Sequence, residues 1–274
     1  MESSKTQETA TTVHGSLPKF CKVEREGPLT IVTVARPDRL NALHTPAHYE
    51  LARVFDDFAV DPDQWVAIVT GEGRAFCVGN DLKFQADGGG LDRPDSDFGG
   101  LTGRFDCDKP IIAAVNGLAL GGGCEIALSC DIVIASQDAA FAMPEPRVGM
   151  AALASGLHRL PRTIGWQQAM GMILTGRRVA ADEALNMGFV NAVVPPDKLI
   201  EEARHWADMI LQGSPIAVRA AKSIARKGLE ITSLEKAFAD QRANAMLDQM
   251  LASDDYREGP KAFAEKRKPN WKGR

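Results

Sequence analysis

Several features that would place the chain in other classes of protein are missing from its 274 residues. No apolar run reaches the roughly 18–20 residues that cross a bilayer. The five cysteines include no CxxC pair, which argues against a disulfide framework and a structural zinc site. The net charge of −4 supplies no global positive field for nucleic acid. We therefore expect a protein of a reducing compartment, by default the cytoplasm, that binds neither nucleic acid nor membrane.

Familiar cofactor and nucleophile motifs are missing as well. There is no GxxxxGK[ST] phosphate loop, and Gly121–Gly123 does not complete a dinucleotide GxGxxG because Ile126 occupies the last position. Ser155 lacks both outer glycines of a GxSxG nucleophile elbow, because Leu153 and Leu157 stand at those positions. The histidines form no HExxH motif, and His44 and His48 straddle a predicted helix start. The sequence thus supports neither a metal site nor a serine–histidine pair.

Patterning predicts an α/β core followed by helices. Residues 1–18, rich in Ser, Thr and charge, are expected to be a disordered tail without the apolar segment of a secretory signal; 19–200 would be the core and 201–274 a helical region. Predicted strands are 20–26, 29–35, 66–71, 110–115, 132–136, 139–143 and 189–194. Predicted helices begin at Thr45 and after Gly121–Gly123, and beyond residue 155 they cover 162–174, 181–187, 197–212, 215–228, 233–252 and 258–266. The Gly/Asp-rich stretch 85–103 is predicted to be a long loop, a class that is usually functional or mobile.

Two glycine turns each follow a short apolar strand and each precede a helix. They are Gly79-Asn80 and Gly121–Gly123. The start of a helix presents backbone N–H groups without partners, and two such turns facing each other can direct two N–H groups at one oxygen, as an oxyanion hole does. The alternative is structural, because glycines also permit plain turns and close packing of a helix on a strand.

Two glutamates lie in apolar surroundings. Glu125 follows the glycines in the first helical turn, and Glu145 stands between two prolines at a strand end. Partial desolvation raises the pKa of a carboxyl group and suits it to general acid–base work. Taken alone, each glutamate has a structural explanation that is better supported than catalysis: Glu125 would interact with the helix dipole, and Glu145 would lie in a surface turn. The presence of both glutamates together with the two N–H turns favours catalysis.

The chain resembles the crotonase family, also called the enoyl-CoA hydratase/isomerase family, from about residue 20 to 274. The resemblance rests on ordered segments that include LTIVTVARPDRLNAL, GRAFCVGNDL, KPIIAAVNGLALGGGCEIALSCD, FAMPEPRVGM, LTGRRVAADEALNMGFVNAVVP and EGPKAFAEKRKPNWKGR. It implies a spiral of ββα units and a helical C-terminal region that forms a homo-oligomer, a trimer or a dimer of trimers. The implied ligand is an acyl-CoA, with CoA part of the substrate and no separate cofactor.

The resemblance also implies roles for individual residues. The oxyanion-hole N–H groups would belong to Asn80 and Gly122, and Glu125 and Glu145 would be the acid–base pair. The substrate and CoA would be bound by Arg39, Leu40, Ala42, Gly79, Asp81, Leu82, Lys83, Gly121 and Pro144. Because both glutamates are present, the favoured activity is hydration of a 2-enoyl-CoA in lipid metabolism.

Other activities of the same fold remain open at this point. They are enoyl-CoA isomerisation, dehydration of a functionalised acyl-CoA and acyl-CoA hydrolysis; a non-catalytic trimeric acyl-CoA-binding protein is a third possibility. Asn80, Pro146 and the segment 150–155 depart from the common hydratase pattern beside the expected acyl pocket, which the 85–103 loop would border. The basic cluster from Lys261 to Arg274 would either bind the CoA phosphates or form a solvated helix end.

Overall fold

The computed structural model describes residues 18–274, and the predicted tail therefore lies, except for residue 18, outside the described residues. A mainly parallel sheet forms the centre of this part of the chain. Its six strands, in spatial order, are β1 (Cys21–Glu26), β2 (Leu29–Val34), β3 (Val66–Gly71), β5 (Ile111–Val115), β7 (Ile132–Ser136) and β10 (Ala192–Val194). Only the β1–β2 hairpin is antiparallel, and it turns at Gly27, which has a left-handed φ of 56°.

A second, smaller sheet lies beside the first. Its strands, in spatial order, are β4 (Ala75–Cys77), β6 (Leu118–Leu120), β8 (Ala140–Ala142) and β9 (Val179–Ala180). Each of β4, β6 and β8 directly follows a strand of the large sheet, and the three run parallel to one another. The chain thus repeats one unit, a strand in each sheet and then a helix, and winds as a spiral.

The large sheet is buried on both faces, which explains its continuous apolar runs. Along β3, Val66 and Ile68 pack with α7 (Leu199–Leu211), whereas Ala67 and Val69 face the main core on the opposite side. That main core includes the apolar face of α1 (Thr45–Val60), whose Leu51, Val54, Phe55 and Phe58 recur at helical spacing and are all buried.

The remaining helices are α2 (Leu82–Ala86), α3 (Gly122–Ser129), α4 (Gly156–Thr163), α5 (Trp166–Thr175), α6 (Ala181–Met187), α8 (Pro215–Gly228), α9 (Leu234–Asp240), α10 (Ala245–Ala252) and α11 (Asp254–Ala264). Short 3₁₀ helices cover Pro37–Arg39, Phe98–Gly100, Glu145–Val148, Pro196–Lys198 and Gln241–Ala243. Among residues 18–274, none of the helices has the length and apolar character needed to cross a bilayer.

Several predicted boundaries were wrong. The helix predicted for 162–174 is two helices, because Gly165 at the start of α5 and the preceding Ile164 have extended backbone. The helix predicted for 233–252 is also divided, since Asn244 leaves the helical conformation and its side chain caps Met246. The last helix begins earlier than predicted, at Asp254, where the Ser253 hydroxyl accepts a hydrogen bond from Tyr256 N–H.

The fold class predicted from the sequence is confirmed: strands and helices alternate in a ββα spiral that ends in helices. In the C-terminal region α8 and α10 share a small buried cluster formed by Ile216, Ala220 and Met246. Large apolar side chains of this region are exposed, namely Leu229, Leu234, Phe238 and Phe263. The predicted assembly into trimers and the domain boundary at residue 200 stay predictions.

Candidate active site

The small sheet brings the predicted site residues together. Because β4, β6 and β8 are parallel neighbours, their carboxyl ends lie at one edge of the sheet. Asn80 follows β4 by three residues, Gly122 follows β6 by two, and Glu145 follows β8 by three. Glu125 lies one turn into α3, which starts at that same edge. Residues far apart in sequence thus converge without any long loop.

A cavity of about 820 Å³ opens at this edge. Eight of the residues predicted as site residues line it, namely Gly79, Asn80, Leu82, Gly121, Gly122, Glu125, Pro144 and Glu145. The wall also includes Val78, Leu91, Arg93 and Phe98 and residues of the segment 147–154, which is exposed except at Ala152 and Ala154. The expectation that the 85–103 stretch borders the pocket is therefore confirmed, although its Phe98–Gly100 turn is a buried 3₁₀ helix rather than a surface loop.

The two predicted oxyanion-hole N–H groups are held by different means. Leu43 donates its N–H to Gly79 O at 2.8 Å and accepts from Asp81 N–H at 2.8 Å, so the intervening Asn80 turns its own N–H away from Leu43. Gly122 is the first residue of α3, where a backbone N–H has no partner within the helix. Both residues line the cavity, as an oxyanion hole requires.

Close packing explains the glycines of the two turns. A Cβ on Gly79 would lie 3.3 Å from Gly122 N and 3.1 Å from Leu120 O, so the two turns touch. A Cβ on Gly122 would overlap the Phe98 ring, and one on Gly123 would overlap the carbonyl oxygen of Cys77. Larger residues would therefore push the turns apart, so close packing accounts for these glycines, and the N–H site stays a prediction.

Glu125 is almost wholly buried, with 2% of its surface exposed. Its Oε1 accepts a hydrogen bond of 2.8 Å from Gly156 N–H, at the start of α4. Burial raises the pKa of Glu125 to about 7, the Gly156 N–H opposes that shift, and the nearby Glu145 carboxylate adds to it. Near neutral pH this carboxyl group can therefore both accept and donate a proton.

Glu145 is less enclosed than Glu125. It begins the 3₁₀ helix Glu145–Val148, and burial raises the pKa of its carboxyl group. Within residues 18–274, its Oε2 is buried and has no hydrogen-bond partner, a state that costs free energy unless a ligand or water supplies one. A Cβ on Gly121 would lie 2.7 Å from Glu145 Oε1, which places this carboxyl group directly beside the turn that leads into Glu125.

The other predicted binding residues lie outside the wall of this cavity. Arg39 and Lys83 are exposed, and Leu40 has a left-handed φ of 51° just after the 3₁₀ helix Pro37–Arg39. The Ala42 carbonyl accepts a hydrogen bond from Arg36. Asp81 has structural partners: it caps α2 at Phe84 N–H and forms an ion pair of 2.9 Å with Arg36. Their predicted contact with the CoA arm stays a prediction.

Sequence reasoning missed three residues that shape the site: Arg93, Phe98 and Gly156. Phe98 lies against Gly122 and stacks edge-on with His48, whose Nδ1 accepts the Gly99 N–H at 3.1 Å. Burial lowers the pKa of His48 to about 3, so the ring stays neutral and its Nδ1 free to accept. In the sequence, the only sign of these contacts was the presence of Phe98 and its neighbouring glycines in the otherwise polar stretch 85–103.

One cation of the basic C-terminal cluster, Arg267, is neutralised by its own neighbours. Arg267 forms ion pairs of 2.6 Å with Glu258 and with Glu265. The Lys272 N–H donates to the buried Asp255, which also accepts from Ser214 Oγ. These contacts attach the terminus to α11 and α8 and leave fewer free cations for a phosphate group than the sequence indicates.

Comparison with known proteins gives a consistent result for the whole described chain. The family model for enoyl-CoA hydratase/isomerase matches residues 24–274. A carnitinyl-CoA dehydratase of Citrobacter koseri is 42% identical over 258 residues, which are 91% of this chain and 97% of that protein. A carnitinyl-CoA dehydratase of Proteus mirabilis is 43% identical over 256 residues, or 90% of this chain and 96% of that protein.

Solved structures agree with the sequence relatives. An enoyl-CoA hydratase from Mycobacterium tuberculosis H37Rv has a TM-score of 0.87 and 37% identity, and the match covers 93% of this chain and 99% of that chain. A carnitinyl-CoA hydratase from Mycobacterium avium has a TM-score of 0.74 and 37% identity over 94% of this chain and 100% of that chain. The similarity thus extends over the complete length of these proteins and includes every element that builds the cavity.

Proposed function

The chain belongs to the enoyl-CoA hydratase/isomerase family, the crotonases, and on that premise we propose that it is a hydro-lyase for a CoA thioester with a functionalised short acyl group. It would remove water from a 3-hydroxyacyl-CoA or add water to the matching 2-enoyl-CoA, which are two directions of one reaction. The relatives named carnitinyl-CoA dehydratase favour this substrate class over the unsubstituted 2-enoyl-CoA that the sequence alone favoured.

One observation carries the proposal: two carboxyl groups with raised pKa values border a cavity at the point where the Gly79-Asn80 and Gly121–Gly123 turns touch. Addition or elimination of water beside a thioester needs a proton at C2, a proton at the C3 oxygen and a stabilised negative charge on the thioester oxygen. The site offers a group for each requirement.

In the proposed hydration, the Asn80 and Gly122 N–H groups hold the thioester oxygen. The ionised Glu125 takes a proton from a water molecule as the water oxygen bonds to C3, and the electrons of the double bond move toward the thioester. The protonated Glu145 then gives its proton to C2. Removal of one oxyanion donor typically costs roughly 3–4 kcal/mol of transition-state stabilisation. Dehydration would follow the same path in reverse.

The environments of the two glutamates support this division of roles. The Gly156 N–H stabilises the ionised form of Glu125, which a base needs. Burial favours the protonated form of Glu145, whose Oε2 has no partner within residues 18–274, and the residue's own backbone N–H opposes that shift.

The test is incubation of the purified protein with a panel of neutral and functionalised 2-enoyl-CoA thioesters, followed by mass analysis. We expect loss of the conjugated-thioester absorbance and a product heavier by one water, with turnover of at least one functionalised thioester exceeding that of crotonyl-CoA. An unchanged mass with a shifted double bond would indicate an isomerase instead, and release of free CoA thiol a hydrolase. Binding without turnover across the panel would overturn the proposal in favour of an acyl-CoA-binding protein.

A further inference from the structure

Arg93 is a cation inside the cavity that the proposed reaction does not use. Its Nη1 forms an ion pair of 2.9 Å with Asp97 Oδ1, and its Nη2 lies 3.4 Å from Asn80 Oδ1. The guanidinium carbon lies 5.0 Å from the centre of the Phe98 ring. Because Asn80 also carries a proposed oxyanion N–H, a thioester held by that N–H would bring a short acyl group within reach of the guanidinium in the same cavity.

The partners of Arg93 are those that would bind a quaternary ammonium group. Such groups are recognised by aromatic faces and by carboxylates. Among the described residues that line the cavity, Phe98 is the only aromatic one, and its face is covered by Arg93. The neighbouring carboxylate, Asp97, is also engaged by Arg93. Arg93 thus occupies the place beside Phe98 and Asp97 where a quaternary ammonium group of a ligand would otherwise bind.

The backbone supports this arrangement at an energetic cost. Asp97 has φ 58° and ψ −143°, a conformation that residues with a side chain rarely adopt. Such strain persists where the surrounding structure holds it, and it tends to occur at ligand sites. Here it places a carboxylate where it orients Arg93 toward the cavity.

The charges that face the cavity agree with an anionic ligand. Arg147 lines the cavity besides Arg93, with its guanidinium held by the Thr175 carbonyl at 3.0 Å. The anionic side chains of the wall are Glu125 and Glu145; burial shifts both toward the neutral form, and only Glu125 is ionised in the proposed hydration. A positive acyl group would meet two arginines, whereas a carboxylate would find guanidinium donors.

We propose that Arg93 selects the charge of the acyl group: the site takes CoA thioesters whose short acyl chain ends in a carboxylate and rejects those that end in a quaternary ammonium. This inference rests on the proposed hydro-lyase function and adds the substrate class to it. It separates this chain from its relatives named for the carnitinyl group, which contains a trimethylammonium.

Three probes of similar length test the proposal by rate of hydration. They are glutaconyl-CoA with a terminal carboxylate, crotonobetainyl-CoA with a trimethylammonium, and 5,5-dimethylhex-2-enoyl-CoA, the neutral carbon analogue of the second. We expect kcat/KM of the wild type to rank carboxylate first and trimethylammonium last. In Arg93→Met the ratio of carboxylate to neutral probe should fall roughly 10- to 100-fold, the usual effect of losing a hydrogen bond to a charged group.

The ratio of kcat/KM for the carboxylate probe to that for the neutral probe separates charge selection from other effects of Arg93→Met. Any change in the pKa of Glu125 after loss of the Arg93 charge acts on all three probes and cancels in the ratio. Arg93→Lys should retain most of the carboxylate preference, and Asp97→Asn should increase it by freeing the guanidinium. Arg147→Met is the matched control, and a fall in the ratio there but not in Arg93→Met would assign the selection to Arg147 and overturn the proposal.

Failure of this inference and failure of the proposed function are distinguishable. Hydration of the trimethylammonium probe faster than its neutral analogue would refute the role of Arg93 and leave the hydro-lyase intact. If no probe is hydrated, calorimetric Kd values for the saturated ligands glutaryl-CoA and 4-trimethylammoniobutyryl-CoA still decide the point. Tighter binding of glutaryl-CoA, lost in Arg93→Met, supports the charge selection, and equal binding contradicts it.

Discussion

The two glutamates of the site are built into unlike surroundings. Glu125 belongs to a stretch in which residues 121–127 are all buried, and Gly156 N–H fixes its carboxylate. Glu145 starts a short 3₁₀ helix, and residues 147–151 after it are exposed. One side of the site is therefore set by the core, and the other lies on a segment that the core constrains much less.

This difference suggests that the two sides of the site have different roles. The side of Glu125 would position the reacting groups, and the side of Glu145 would determine which acyl group fits. A carboxylate whose position is fixed by packing can hold a water molecule in one place. Two of the three departures from the common hydratase pattern that the resemblance indicates, Pro146 and 150–155, follow Glu145, and the third, Asn80, lies beside Arg93. Changes at the exposed positions 147–151 would alter the cavity wall without disturbing the core, to which Ala152 and Ala154 belong. The following predictions test that contrast.

The largest effect is expected from replacing either carboxyl group. Glu125→Gln and Glu145→Gln should each lower kcat for hydration by about 10²–10⁴-fold, the usual contribution of an acid–base group. The two should differ in a second assay, deuterium exchange at C2 of butyryl-CoA, in which no water is added. We expect Glu145→Gln to lose this exchange and Glu125→Gln to keep it.

Circular dichroism serves as the control, because both variants should retain the wild-type spectrum. Loss of exchange in Glu125→Gln with retention in Glu145→Gln would reverse the assigned roles. Equal loss of both activities in both variants would mean that the carboxyl groups act as one coupled unit.

The second largest effect is expected in the free energy of unfolding of Glu125→Gln. This substitution should stabilise the fold although it lowers activity. The pKa of Glu125 is raised to about 7, so the folded protein resists an ionisation that the unfolded chain undergoes around the ordinary glutamate pKa of 4.5. Stability contributed by this group is therefore present below that value and lost as pH rises to about 7. Glu125→Gln removes the ionisation and should raise the free energy of unfolding by about 3 kcal/mol at pH 8 and by under about 1 kcal/mol at pH 5.

Urea unfolding of the variants at the two pH values provides the measurement. Glu145→Gln, at the less enclosed position, should gain less at pH 8 than Glu125→Gln. A gain at pH 8 that is no larger than at pH 5 would contradict the buried, ionisable character of Glu125.

Much of this architecture was predictable from local sequence. Continuous apolar runs such as Val66–Gly71 indicated buried parallel strands, and Gly121–Gly123 followed by a helix indicated N–H groups without partners. From the residues alone, however, each glycine turn and each glutamate had an equally simple structural explanation. The resemblance to a family decided between them, because it relates segments that local patterns treat separately.

The features of the site that the sequence did not predict depend on contacts between residues that are distant in sequence. Gly156 meets Glu125 across 31 residues, and its N–H is useful only because α4 begins beside α3. Arg93 was one cation in a Gly/Asp-rich stretch until Asp97 and Phe98 were seen to surround it. Helix ends at Gly165 and Asn244 were missed because a single residue with extended backbone outweighed an otherwise helical pattern.

The smallest effect, and the sharpest test of the fixed side, is expected from adding one methyl group at Gly156. Its Cβ would lie 2.8 Å from both Cγ and Oε1 of Glu125, so Gly156→Ala should displace the carboxylate and lower kcat/KM by roughly 10- to 100-fold. Gly171→Ala in α5 is the matched control, because its Cβ would meet no atom within 4 Å. Alanine favours a helix at either position, but the Cβ at 156 would also lie 2.8 Å from Cε of the buried Met143. Urea unfolding should therefore show a loss of about 1–3 kcal/mol in Gly156→Ala and little loss in Gly171→Ala. Wild-type rates in Gly156→Ala would mean that Glu125 works from more than one position, and the contrast between a fixed and an adaptable carboxylate would then fail.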